Sequence, residues 1–254
     1  MLRLHVRVWY LAQRDKANAW NQHIHHIWDG ASLTFYVDGY VELDPGAIHQ
    51  LTHAMLAQPQ ALAGTGAPSV GRSSKKLRQE LLVQGGMHGN FCCIRDSAML
   101  ALRQRGIRLP LDLYRTDSTM GAILSFGLDP AQNEWNPLKY IAVAPEATWL
   151  NEGKKWWRRA DLQASYKRLN WQAQGRLENS AVRCHLAVRQ LAPEALPETI
   201  AALVIDWVAR CPEEAASLLR SNRRVGSALD RLRAAVTGWQ AEMAPERITD
   251  AKAP

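Results

Sequence analysis

The order of the periodic patterns along this chain most constrains how it can fold. Short strand-like runs alternate with helical patterns as far as about residue 150, and from about Lys154 onward only helical periodicity is found. Strands that alternate with helices predict an α/β layer. We therefore expect an α/β domain over residues 1–152, followed by an all-helical region over residues 153–254.

Three runs have the patterns of strands. Leu4 to Tyr10 alternates apolar and polar residues, Leu33 to Val37 is a short apolar run, and Tyr140 to Val143 is a third run that Pro145 follows. Segment 64–76 is rich in Gly, Ser and Pro, and this composition predicts a loop.

Apolar residues at helical spacing predict the helices. They begin near Ala17 and Pro45, and further ones cover 95–105, 117–126, 156–190, 197–210, 212–221 and 223–243.

The positive charge is concentrated in one segment. The chain has a net charge of +7, and residues 152–189 hold nine basic and three acidic residues. Apolar residues form one stripe along the helix predicted there: Leu162, Tyr166, Leu169, Ala173, Leu177, Ala181, Cys184 and Val188. Two interpretations stay open, an amphipathic helix with Trp156 and Trp157 on an anionic membrane surface, or a helix that packs its stripe on the α/β layer. No recognised nucleic-acid-binding module accompanies the basic segment, so no nucleic-acid partner is expected.

The sequence indicates a cytoplasmic protein. The strongest candidate for a membrane-spanning segment, Ile200 to Ala209, is too short to span a bilayer and contains Asp206. The first residues lack the pattern of a signal peptide, and the four cysteines have no CxxC spacing. If the basic helix binds lipid, the protein is expected at the inner face of the membrane.

Two carboxylates are candidates for chemistry. Asp38 ends a predicted strand and Asp117 opens a predicted helix. Ligands of open α/β sheets bind beyond the carboxyl ends of strands, where one carboxylate can hold a metal–diphosphate while another deprotonates a hydroxyl. The alternative is that Asp38 begins a turn and Asp117 caps a helix.

Three other features of the sequence have structural explanations. Gly66 to Ser73 is close to a phosphate-binding loop, but Arg72 replaces the lysine and Pro68 interrupts the loop, so a surface loop is expected. His23 and His26 can share a helix face, but no further ligands at metal spacing accompany them, and a solvated surface is expected. Cys92 and Cys93 are expected to be buried.

Five segments together resemble the family 2 glycosyltransferases, which have the GT-A fold of nucleotide-diphospho-sugar transferases. They cover roughly residues 3–150 and read Lys16-Ala-Asn-Ala-Trp-Asn21, Phe35-Tyr-Val-Asp38-Gly-Tyr-Val-Glu-Leu-Asp-Pro45, Gly85-Gly-Met-His-Gly89-Asn-Phe-Cys-Cys-Ile-Arg95, Leu113-Tyr-Arg-Thr-Asp117-Ser-Thr-Met-Gly121 and Tyr140-Ile-Ala-Val-Ala-Pro145-Glu-Ala-Thr-Trp149. The order and spacing of these segments are similar to those of the family.

The resemblance implies a partial GT-A-like layer that transfers a sugar from a nucleotide-sugar donor to a hydroxyl acceptor, which can be linked to a lipid or a polysaccharide. It implies that Asp117 is the catalytic base and that Asp38 holds a divalent cation, Mn²⁺ or Mg²⁺. The implied donor-binding residues are Lys16, Asn21 and Asp38, and the implied acceptor-binding residues are His88, Gly89 and Asn90.

The chain departs from the family pattern in three places. The DxD motif reads Asp38-Gly39-Tyr40, and Thr116 stands where the family often has Glu. The βα units that bind the nucleotide in the family, and that precede the Lys16 region there, are not found. The alternative hypothesis is therefore a truncated or non-catalytic relative that acts as a membrane- or partner-binding protein.

Overall fold

The computed structural model describes residues 6–69, 74–151, 159–235 and 245–248. The strands are β1 (Val8–Tyr10), β2 (Leu33–Val37), β3 (Val41–Leu43), β4 (Ala63–Pro68), β5 (Phe91–Arg95), β6 (Ile141–Asn151) and β7 (Glu246–Ile248). The α-helices are α1 (Lys16–Gln22), α2 (Ala47–Ala57), α3 (Ser74–Gln84), α4 (Asp96–Gln104), α5 (Thr116–Ser125), α6 (Pro137–Tyr140), α7 (Arg159–Arg183), α8 (Ile200–Arg210), α9 (Pro212–Ser221) and α10 (Arg223–Ala235). Single π-helical turns, His23–Ile27 and Cys184–Val188, extend α1 and α7.

A five-stranded mixed sheet with the order β2-β5-β4-β6-β3 forms the layer. Strands β4 and β6 are parallel, and the other neighbours are antiparallel. The α/β class predicted from the sequence is thus confirmed, and so are a strand at Leu33–Val37 and a helix after Pro45.

The two faces of this sheet are covered by different helices. Successive residues of β5 point to opposite faces, so Phe91 and Cys93 pack with Leu51 of α2, whereas Cys92 and Ile94 pack on the other side. That other side holds α1, α4 and α5 together with helices of the C-terminal region. Both cysteines are fully buried, as the sequence predicted.

Strand β4 corrects the prediction of a loop over 64–76. All six of its residues are buried between β5 and β6, and α3 begins at Ser74. The small residues reflect close packing rather than a turn, because a Cβ on Gly64 would lie 2.9 Å from both Leu51 Cδ1 and Met55 Sδ. Residues 70–73, which include Arg72 of the phosphate-loop-like pattern, lie outside the described residues.

Strand β6 is longer than the run Tyr140 to Val143 that was predicted. It continues through Pro145 to Asn151, and its pairing with β4 shifts register between Thr65 and Ala67. Proline is tolerated at such irregularities, so Pro145 does not end the strand as the sequence suggested.

Apolar residues from both predicted regions share one core. The end of α7 buries Leu177 and Ala181, and α8 buries Val204 and Trp207, in the cluster that also holds Met120 of α5. The packing interpretation is therefore confirmed for Ala173, Leu177, Ala181 and Cys184 of the apolar stripe. Tyr166, Leu169 and Val188 of the same stripe are exposed, whereas Trp156 and Trp157 lie outside the described residues.

A strand also occurs in the C-terminal region, which was predicted to be entirely helical. Strand β7 pairs antiparallel with β1, with Trp9 opposite Arg247. Three residues are too few for a period-two pattern to be recognised in the sequence. Within the residues described, no helix is both long and apolar enough to cross a membrane.

Candidate functional site

Asp38 and Asn90 meet at one end of the sheet. Because β2 and β5 are antiparallel, with Val37 opposite Phe91, the residue after β2 lies beside the residue before β5. The Asp38 amide donates to the Asn90 carbonyl over 3.2 Å and extends this pairing by one step. The strand end thus positions the Asp38 carboxylate at the edge where the 88–90 segment enters the sheet.

The two oxygens of the Asp38 carboxylate contact different side chains. Lys16, the first residue of α1, donates from Nζ to Oδ1 over 2.6 Å. The Tyr40 hydroxyl lies 3.0 Å from Oδ2 and 3.2 Å from Asn90 Oδ1. Burial, and then the Asp38 carboxylate, raise the pKa of Tyr40 to about 12, so its hydroxyl stays protonated at neutral pH.

Asp117 reaches the same segment from the first turn of α5. Its Oδ2 accepts a hydrogen bond of 2.9 Å from the Gly89 amide, so it does not act as the cap of its own helix. A Cβ on Gly89 would lie 2.9 Å from the Asp117 Cβ, and glycine therefore allows this close approach. The carboxylate is held at the segment that begins with His88 and ends with Asn90.

His88 lies among these charges. Its amide donates to Thr65 Oγ1 over 3.0 Å, and its Nδ1 accepts from the Asn90 amide over 3.3 Å. Burial lowers the pKa of His88, whereas the Asp117 and Asp38 carboxylates raise it and Lys16 and Arg115 lower it. The ring is therefore neutral at pH 7, with its proton on Nε2.

The structure thus brings six of the seven residues singled out from the sequence into one connected cluster, which we call the carboxylate cluster. Its members are Lys16, Asp38, Tyr40, His88, Gly89, Asn90 and Asp117. Tyr40 was noted in the sequence only as the residue that replaces the second carboxylate of the DxD pattern. Its place two residues after Asp38 was the signal that could have identified it.

Asn21 makes different contacts. It is buried, its Nδ2 donates to the Leu109 carbonyl over 2.9 Å, and its Oδ1 accepts from the Leu109 amide over 2.8 Å. Both ends of the side chain are engaged with the backbone that leads toward α5. The contacts of Asn21 therefore explain how α1 is fixed to this segment, and its part in donor binding stays a prediction.

The carboxylate cluster does not form a metal site from protein ligands alone. In the part of the chain that is described, no group of three or more His, Cys, Asp or Glu side chains can hold a metal ion. Asp38 supplies one carboxylate, so a divalent cation here would need most of its oxygen ligands from a bound diphosphate. His23 is half-buried, and its Nδ1 lies 3.0 Å from the Tyr36 hydroxyl, so it is not on a fully solvated surface as the sequence predicted.

A separate cavity of about 440 Å³ lies between α5 and the end of α7. Its described lining is mainly apolar and includes Ala122, Phe126, Val182 and Leu186. Bond-making chemistry needs groups that exchange protons or stabilise charge, and the carboxylate cluster supplies them. We therefore take the carboxylate cluster as the candidate site.

Comparison with known proteins adds no assignment: no protein-family model matches the chain, and no curated protein matches it.

Proposed function

We propose that this chain is a glycosyltransferase on a partial GT-A-like layer, which transfers a sugar from a nucleotide-sugar donor to a hydroxyl acceptor. One observation carries the proposal: Asp38 and Asp117, from a strand end and a helix start far apart in sequence, both contact the His88–Asn90 segment. Glycosyl transfer requires a group at the departing diphosphate and a base at the attacking hydroxyl. The carboxylate cluster offers candidates for both.

Asp117 is the proposed base. The acceptor oxygen forms a bond with the anomeric carbon while the bond from that carbon to the diphosphate oxygen breaks, and the hydroxyl proton passes to the Asp117 carboxylate. The electron pair of the broken bond leaves with the nucleoside diphosphate. The Gly89 amide, which donates to Oδ2, fixes the orientation of the carboxylate for this proton transfer.

Lys16 is proposed to bind the departing diphosphate. An ammonium group has three N–H donors, and one of them is directed at Asp38 Oδ1. The other two can bind phosphate oxygens and stabilise the charge that develops as the bond breaks. A divalent cation would be held between Asp38 and the diphosphate, where it supplies further positive charge.

The other residues of the cluster are proposed to bind the acceptor. Neutral His88, whose Nδ1 accepts from the Asn90 backbone amide, offers an Nε2–H donor, and the Asn90 side chain lies beside it with Oδ1 3.2 Å from the Tyr40 hydroxyl. These groups suit the hydroxyls of an acceptor next to Asp117.

The test is turnover of UDP- and GDP-sugars by the full chain, followed as release of the nucleoside diphosphate, with the variant Asp117→Asn. The asparagine Oδ1 can still accept from the Gly89 amide, so we expect an intact fold, and we expect release to fall at least about 100-fold because the base is lost. Asp96→Asn, in the first turn of α4, is the matched control and should keep wild-type turnover. Turnover retained by Asp117→Asn would remove the proposed base.

A further inference from the structure

An exposed pair of aromatic rings lies beside the carboxylate cluster. Tyr114 and Trp171 stack with ring centroids 5.8 Å apart and planes 21° apart, and 37% and 47% of their surfaces are exposed. Tyr114 lies just ahead of α5, three residues before Asp117 in the chain. We call the two rings the aromatic platform.

Side chains of helix α7 bind the backbone of the segment that carries Tyr114. The carboxylate of Glu178, which is fully buried, accepts from the amides of Tyr114 and Arg115 over 3.0 and 2.8 Å. Gln174, one turn earlier on α7, donates to the same carboxylate over 2.8 Å and to the Asp112 carbonyl over 3.3 Å. These bonds satisfy partly buried backbone groups that lie outside any helix or strand, and they fix the position of Tyr114.

A glycine lets the segment approach α7 closely. A Cβ on Gly175 would lie 2.7 Å from Arg115 Nε and 3.2 Å from Tyr114 Cδ1. Trp171 is one turn before Gly175 and thus shares its face of the helix, where it meets the Tyr114 ring. The Arg115 guanidinium lies 5.9 Å from the centroid of the Tyr114 ring. The platform is therefore a packed and supported surface that still faces solvent.

We propose that the aromatic platform binds the apolar face of a sugar ring in a saccharide acceptor. A pyranose presents C–H bonds on its face and hydroxyls around its edge. The C–H bonds suit the negative face of an aromatic ring, and the hydroxyls suit the polar groups of the carboxylate cluster. The inference rests on the proposed function, and it commits to a saccharide rather than a lipid as the group that the acceptor presents.

The test uses three neutral tetrasaccharides as probes. The first consists of β-1,4-linked glucose, the second of α-1,4-linked glucose and the third of β-1,4-linked N-acetylglucosamine. Binding to the full chain is followed by saturation-transfer NMR. We expect at least one to bind, and Trp171→Ala to weaken that binding about tenfold while Trp171→Phe retains most of it. Trp135, which is also half-exposed but packs edge-on against Phe126, provides the control Trp135→Ala, which should bind as wild type does.

Failure of this inference can be told apart from failure of the proposed function, because nucleotide binding is measured separately on the same variants. Nucleotide binding without saccharide binding overturns the platform and leaves the transfer function standing. Saccharide binding that Trp171→Ala does not change also overturns the platform. A Trp171-dependent association with anionic phosphatidylserine vesicles, with no saccharide binding, would assign these rings to a membrane instead.

Discussion

At the scale of single residues, the charge around His88 gives the most direct check of the carboxylate cluster. Burial holds the pKa of His88 below its ordinary value of 6.5, and the Asp117 carboxylate acts in the opposite direction. The Asp117→Asn substitution removes this negative charge and should therefore lower the pKa further. Lys16→Met removes a positive charge and should raise it. Titration of the His88 ring by NMR measures both shifts, and two shifts of the same sign would contradict the geometry.

Single residues also mark how far sequence could predict the candidate site. Asp38 and Asp117 could be singled out because each stands at the boundary of a periodic run, where polar side chains of α/β proteins face ligands. Tyr114 and Trp171 could not be paired, because they lie far apart in sequence and nothing local indicates that their rings stack. Glu178 was likewise unrecognised, since its partners are backbone amides that only the fold brings near.

At the scale of elements, strand β4 depends on its glycines. A Cβ on Gly66 would collide with the Ala147 carbonyl oxygen and lie 2.7 Å from Phe91 Cδ1, and backbone atoms cannot move aside as a flexible side chain does. We expect Gly66→Ala to lower the free energy of unfolding by about 1–3 kcal/mol or more, measured by urea denaturation. Gly39→Ala is the control, because a Cβ there meets nothing within 4 Å. Equal stability of the two variants would contradict the close packing of β4.

The packing of helix α7 can be tested through the pH dependence of the free energy of unfolding, because α7 carries the buried Glu178. Burial raises the pKa of Glu178 above its ordinary value of 4.5, although the hydrogen bonds from Tyr114, Gln174 and Arg115 oppose the shift. As the pH rises through 4.5 the unfolded chain loses this proton first, so the folded state binds more protons and stability falls with pH.

We therefore expect the wild type to lose stability relative to Glu178→Gln, which cannot titrate, as the pH rises from 4.5 toward neutrality. Urea denaturation of both proteins at several pH values measures the difference. If the stability of the wild type relative to Glu178→Gln stays constant or increases as the pH rises, the side chain of Glu178 is not buried in the folded protein.

Elements differed in how well sequence could predict them. Strand β2 and helix α5 were found because the former is a continuous apolar run and the latter has helical spacing, and each ends at a polar residue or a glycine. Strand β4 was missed because its six residues, Ala-Gly-Thr-Gly-Ala-Pro, have the composition of a loop. Their burial follows from neighbours in the sheet, which no local pattern reveals.

At the scale of the whole molecule, the shared core makes the predicted division at residue 152 testable. Leu177, Val204 and Met120 belong to one cluster that joins the α/β layer to the C-terminal helices. We expect one cooperative urea transition, with tryptophan fluorescence and helical circular dichroism changing together. Loss of helical signal at a clearly lower urea concentration than the fluorescence change would show that the two regions unfold as separate units.

The proposed binding of a nucleotide-sugar donor at the carboxylate cluster can be measured by calorimetric titration of UDP and GDP into the full chain. Titrations with and without manganese, repeated with Asp38→Ala, show which groups bind the diphosphate. We expect one nucleotide to bind, more tightly with manganese than without it, and Asp38→Ala to abolish the increase in affinity that the metal gives. A folded chain that binds neither nucleotide under either condition would contradict the proposed binding.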